Sequence, residues 1–404
     1  MKYLRRILII FVLIVYNEFF NLFEIKDVYI GPLTMWDIVS VFALSYLFLE
    51  FFYNHTSYRN IENRKAIIWV NWLILFVFVV TLSMPFRGES LGNALLMSRK
   101  IIFPYLMLHL FVLDILKTKS SEFLEKILVY FSVVFSIVFI LKVLNIDVFV
   151  HKLGFAYVTA AFIVVYWKDY FHYMEIKKII IFLLFIGLFA QPFRAYAFAT
   201  ITLLVALTLL RARIKKVAKY FLSICILLLI AVPVSENFGK YSIINQVDSL
   251  TSDLLEGGEH SATGARLVKD MMYRIPMIEQ SPYFGYGFVH PSSSYAKELG
   301  FYLEDKDGID AFNLYSVDSG YLTFLTTFGF IGTTVILFML LRITFLTFRS
   351  NAPIPYRYSF LTLMIVFIAA TYTHHPLMTD FGIIPMMLIL ALTTTPIKNR
   401  NLKS

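Results

Sequence analysis

Arg266, Arg274, His290 and Asp318 are the residues of this chain whose types and setting suit chemistry. All four belong to one polar stretch, from about residue 236 to about residue 316 with Asp318 at its far edge, in a sequence that is otherwise very apolar. A guanidinium is permanently charged and grips phosphate oxygens through two parallel N–H donors. A carboxylate or an imidazole within hydrogen-bond reach of a hydroxyl can take its proton. Together these are the parts of a site that holds an oxyanion and activates a hydroxyl. Each residue also has a plainer reading. Arg266, Asp270 and Arg274 fall at i, i+4 and i+8, so they share a helix face and read equally as an exposed ion-pair stripe. His290 reads as a surface histidine, and Asp318 as the cap of a helix that starts there.

Other charges stand where a membrane protein would have to justify them. Arg194 lies in Phe189-Ala-Gln-Pro-Phe-Arg-Ala-Tyr, which joins two apolar runs with almost no loop. It is either an arginine snorkelling to the interface or an anion clamp. Arg99 and Lys100 open another run on the same side, and snorkelling accounts for them equally well. His374 and His375 precede Asp380, but adjacent histidines point in different directions on a helix, which disfavours a shared metal.

The elements that must position these groups are helices. Residues 263–282 read as an amphipathic helix with Ser261 or Thr263 as its cap, bent at Pro276. Ser281-Pro-Tyr-Phe-Gly-Tyr-Gly-Phe then marks a turn, where Gly285 and Gly287 permit close backbone approach and could offer amides to phosphate. The rest is membrane. The chain is 59% hydrophobic and 16% charged, against about a quarter charged in soluble domains. Runs near the length needed to cross a bilayer, about 20 residues, fall at 5–23, 32–52, 67–86, 95–115, 123–144, 153–167, 178–193, 195–210, 218–235, 318–341, 358–374 and 380–396. The fold class expected is an all-α integral membrane protein of about twelve spans, with ten as the alternative because two runs are short. One large outward loop carries short amphipathic helices. The division is 1–235, a bundle of about nine spans; 236–317, the loop; and 318–404, a bundle of about three.

Charge sets the orientation. Alternate connections and both termini hold 23 of the 36 basic residues, and basic excess marks the cytoplasmic side. Both termini are expected inside and the long loop outside. That loop is itself acidic, with thirteen Asp/Glu against six Lys/Arg from Glu236 to Asp318. The net charge of +9 therefore belongs to inner loops facing an anionic leaflet, and no clustered footprint for nucleic acid is present. The single cysteine, Cys225, excludes an internal disulfide and disfavours a thiolate metal site. The basic start followed by an apolar run lacks a small-residue cleavage site and reads as an uncleaved first span.

Taken in order, Arg266 to Gly287 gives an arginine, an amphipathic helix and Pro-x-x-Gly-x-Gly, with ten residues between Arg274 and Gly285. Asp318-Ser-Gly-Tyr-Leu follows, and nine residues separate Ser319 from Gly329-Phe-Ile-Gly-Thr. This order, over roughly residues 180–345, resembles the O-antigen polymerase/ligase family, with Arg194 matching a further family arginine. The resemblance implies a metal-independent glycosyltransferase without a cofactor. Its substrate would be an undecaprenyl-pyrophosphate-linked oligosaccharide in the lipid bilayer of the cytoplasmic membrane, with a chain-length regulator and a flippase as candidate partners. Arg194, Arg266 and Arg274 would hold the pyrophosphate, with Gly285 and Gly287 as loop backbone near it, and Asp318 and His290 would serve the acceptor hydroxyl. Family ligases look to carry His-Asn or His-Ser where this chain has Asp318-Ser319, so the resemblance favours a polymerase of surface polysaccharide. A ligase is the same chemistry with another acceptor. A transporter is the different class; the internal symmetry that marks many transporters is not visible.

Overall fold

The computed structural model describes residues 2–17, 29–30, 33–54, 61–144, 146, 154–167, 174–190, 274–291, 293–299, 302–305, 308–311, 320–371 and 377–394. Their helices are α1 (Lys2–Tyr16), α2 (Met35–Asn54), α3 (Arg64–Ser83), α4 (Leu91–Thr118), α5 (Glu122–Val143), α6 (Gly154–Trp167), α7 (Met174–Ala190), α8 (Ser294–Glu298), α9 (Gly320–Phe348), α10 (Ile354–Ala370) and α11 (Asp380–Leu392). Ten of the twelve expected spans thus meet a helix. The runs at 195–210 and 218–235 lie outside the described residues. Met35–Phe52, Arg64–Arg87, Leu91–Thr118, Glu122–Lys142 and Gly320–Phe348 are long and apolar enough to cross a membrane, and four shorter apolar helices stand beside them. The protein is a multi-pass membrane protein. The described residues agree with the all-α class; beside the helices stand two short antiparallel hairpins, β1 (Tyr29–Ile30) with β2 (Leu33–Thr34) and β3 (Tyr302–Asp305) with β4 (Gly308–Ala311).

Helix α4 is the hub. It starts where the Ser90 side chain accepts from the Asn93 amide at 3.2 Å, satisfying a donor that the helix itself leaves over. Its apolar residues run all round the barrel rather than along one stripe, so it is buried on most sides, packed by α11, α3, α1 and α2. Polar pairs fasten the two ends of the bundle. At the end carrying Arg5, that residue pairs with Asp114 at 2.8 Å, both buried, and Lys117 pairs with Glu50 at 3.0 Å. Asn63 also donates there to Thr347 at 3.0 Å and Thr393 at 2.9 Å. Breaking a buried pair from one side is costly because the remaining charge has no water. At the opposite end, called here the Arg87 end, Arg99 meets Asp37 at 2.7 Å. Lys100 Nζ lies 6.0 Å from the centroid of the Trp36 ring. These two cations engage groups of α2, so snorkelling alone does not describe them.

Candidate functional site

The site forms where residues 282–290 meet a break in α9. Gly329, inside that helix, has φ 63° and ψ −175°, which no helix accommodates. The break strands the Thr326 and Thr327 carbonyls and the Phe330 and Ile331 amides, which would otherwise bond to each other in the i to i−4 pattern. The loop supplies all four partners. Tyr286 N–H donates to Thr326 O and Gly287 N–H to Thr327 O, each at 2.8 Å. Phe330 N–H donates to Pro282 O at 2.7 Å, and Ile331 N–H to Tyr283 O at 3.1 Å. An unsatisfied backbone group in hydrocarbon costs several kcal/mol. Four of them would rival the roughly 5–15 kcal/mol that holds a domain folded. Break and loop are therefore one structural unit.

Two glycines allow the backbones to approach this closely. A Cβ on Gly285, whose φ is +61°, would lie 2.6 Å from both the Gly329 nitrogen and the Thr327 oxygen. A Cβ on Gly329 would meet the Phe284 nitrogen and the Tyr283 carbonyl in return. At Gly287 it would strike the Met84 sulfur. The close approach expected of Gly285 and Gly287 is present, but toward protein. The Gly285 amide donates to Ser281 O at 3.1 Å and the Gly287 amide to Thr327 O, so in this arrangement both are spent within the chain rather than turned to a phosphate.

Arg274 is helical with the residues that follow it to 280, and it is completely buried. That removes the exposed-stripe reading for this residue. Its Nη1 donates to the Thr326 hydroxyl at 2.7 Å, the same residue whose carbonyl takes the Tyr286 amide. Both ends of the Arg274-to-Gly285 spacing therefore dock on one turn of α9. Between them the Tyr286 hydroxyl donates to Met277 O and Gln280 Oε1, each at 3.2 Å. Burial pushes that phenol above its ordinary pKa, which keeps it a donor.

The second clasp comes from the turn between α3 and α4, which sequence reasoning did not single out. Met84–Arg87 is a 3-10 turn closed by Gly88. Arg87 Nη1 donates to the Gly285 carbonyl at 2.6 Å. Glu89, almost wholly buried, accepts from the His290 amide at 3.1 Å, the Ser90 amide at 2.9 Å and the Asn93 side chain at 3.0 Å. Tyr295 closes over Gly88; burial raises its pKa while the Arg87 charge pulls the other way. Arg87 and Glu89 are two charges in the seven-residue connection between α3 and α4, a signal of polar partners but not of which ones. Replacing Glu89 by Gln sets an amide donor against one of three donors, at about 1–3 kcal/mol. Glu89→Gln should lower the melting temperature in detergent by several degrees; an unchanged melting curve would show that the carboxylate is not needed to hold His290.

The structure thus gathers Arg274, Gly285, Gly287 and the half-buried His290 around residues 84–89 and 326–329. Arg194, Arg266, Asp318, His374 and His375, with the Asp380 side chain, lie outside the described residues. No curated protein matches the chain. Residues 179–337 match the family model described as O-antigen ligase, a segment that contains Arg274, the break in α9 and both glycines of the clasp. That segment is similar to the O-antigen polymerase/ligase family, whose members act on lipid-linked glycans.

Proposed function

We propose that the protein is a polymerase of surface-polysaccharide repeat units. It transfers the growing glycan from undecaprenyl pyrophosphate to the non-reducing end of the next lipid-linked repeat unit, on the outer face of the cytoplasmic membrane. The bond that breaks joins the sugar to the pyrophosphate, which leaves with the electron pair. The bond that forms joins the same sugar carbon to the acceptor oxygen, whose proton passes to a base. Arg194 and Arg266 stabilise the charge growing on the pyrophosphate. Arg274 ties the loop to α9 and brings a third guanidinium to that end. Asp318 or His290 takes the acceptor proton. The termini are cytoplasmic in this reading, with 1–235 and 318–404 as the bundle and 236–317 as the outer loop. A chain-length regulator and a flippase would act before and beside it.

The observation that carries the reading is the seam itself: the family segment's loop is fastened to a broken helix at one end of the bundle, with a buried guanidinium in the seam. A passive tether would not need a charge there. Asp318-Ser319, in place of the ligases' His-Asn or His-Ser, supports polymerase over ligase. The two are separated by offering a labelled lipid-linked donor either a lipid-linked repeat unit or a lipid A–core acceptor. Label on the lipid-linked acceptor is expected; label on lipid A–core alone would make the protein a ligase.

Arg194→Lys keeps the charge but loses the bidentate fork. It should reduce transfer by about 100-fold, the scale of losing one oxyanion donor. Wild-type product from this variant would remove Arg194 from the site. Arg99→Ala serves as control, because Arg99 is committed to Asp37; equal damage there would extend the anion site to α4.

A further inference from the structure

A lipid-facing surface runs up α3 and α9 and does not stop where those helices meet the loop. The exposed residues of α3 recur at steps of three and four, from Ile68 through Trp72, Leu75, Val79 and Leu82 to Phe86 in the following turn. On α9 the same steps link Phe330, the exposed Thr334, Phe338, Leu341 and Phe345. The two helices pack side by side, with the Trp69 and Phe338 rings 5.7 Å apart. At about 1.5 Å per residue, Ile68 to Phe86 covers roughly 27 Å, close to the ~30 Å hydrocarbon core. Phe86 and Phe330 therefore stand at the edge of the hydrocarbon. Phe86 is 92% exposed.

The loop tip sits at this edge. Pro282 and Tyr283 accept from the Phe330 and Ile331 amides, so the tip cannot lie away from the lipid-facing surface of α9. Its two aromatic side chains point outward rather than into the bundle, Tyr283 being 64% and Phe284 62% exposed. In a soluble loop two adjacent exposed rings would be an apolar liability. At a membrane interface they are the preferred residues, their rings seated at headgroup level. The reciprocal backbone bonding fits the same setting, because water is not there to complete it.

We propose that the tip Pro282–Phe284 is immersed in the bilayer, at the boundary between headgroups and acyl chains, and that with Phe86 it forms the aromatic rim of the α3–α9 lipid surface. The large loop is then a membrane-seated element at this point and not a free extramembrane domain. The inference is independent of the transfer reaction.

Site-directed spin labelling tests it. With Cys225 replaced by serine, nitroxides are placed one at a time by Tyr283→Cys, Phe284→Cys and Phe86→Cys, all at exposed positions, and the full-length protein is reconstituted in phospholipid vesicles. Phe338→Cys marks the hydrocarbon and Lys297→Cys, on exposed α8, marks water. The ratio of relaxation by oxygen to relaxation by a water-soluble nickel chelate should be several-fold higher at 86, 283 and 284 than at 297, and lower than at 338. Nickel access at 283 and 284 equal to that at 297, with 338 still reading lipid, would overturn the proposal. A function other than glycan transfer would leave these accessibilities unchanged.

Discussion

Gly285→Ala and Gly329→Ala should each leave little correctly folded protein. Both residues lie in the left-handed region, where an alanine costs about 1–2 kcal/mol, and both would push a methyl into backbone that cannot swing aside. Overpacking adds about 1–3 kcal/mol even where neighbours can adjust. Together these reach roughly 2–5 kcal/mol, a large part of ordinary stability. The larger consequence is indirect: if the tip is pushed out, four backbone groups of the break lose their partners together. Thermal unfolding in detergent and trypsin sensitivity of the loop would register this. The two substitutions destroy one contact, so their effects should fall well short of additive. Either variant melting like the wild type would mean that the backbones do not cross as described.

Arg274→Ala is the second large effect expected. It removes a wholly buried side chain and the donor to Thr326. Cavity formation in a core costs about 2–5 kcal/mol, and a hydrogen bond from a charged group about 1.5–3 kcal/mol. Displacing the loop by an ångström would reduce transfer by about 100-fold. Thr326→Val separates two roles for the arginine. If Arg274 works by anchoring the loop, the valine variant should reproduce a clear share of both losses. Full activity in Thr326→Val, with Arg274→Ala inactive and still folded, would instead place the guanidinium on the substrate.

Much of the fold was legible because its signal is local. A run of apolar residues near 20 long reports a span whatever it packs against, and α2 to α7, α10 and α11 fall within a few residues of the runs, while α9 continues to Phe348, past the expected 341. The glycines of the site were legible as a demand for close approach. Their partner was not, since a sequence shows that a Cβ is excluded and not what excludes it. Phosphate was the neighbour expected for Gly285 and Gly287; the α9 backbone and Met84 are the neighbours found. The α3–α4 turn escaped for a related reason. Arg87 and Gly285 are 198 residues apart, and Glu89 and His290 are 201 apart, and nothing in the turn's own composition points across that distance. The hairpin β3–β4 was missed because Tyr-Leu-Glu-Asp and Gly-Ile-Asp-Ala are short and acidic, without the alternation that marks a half-buried strand.

In the proposed function this chain alone elongates a lipid-linked glycan. The direct measurement incubates purified protein in detergent with a lipid-pyrophosphate-linked oligosaccharide repeat unit and resolves the glycan by length. A ladder rising in whole repeat units, with no other protein added, is the expected result. No elongation, with the same lipid instead carried across reconstituted vesicle membranes, would contradict it and make the protein a transporter whose arginines only bind the cargo.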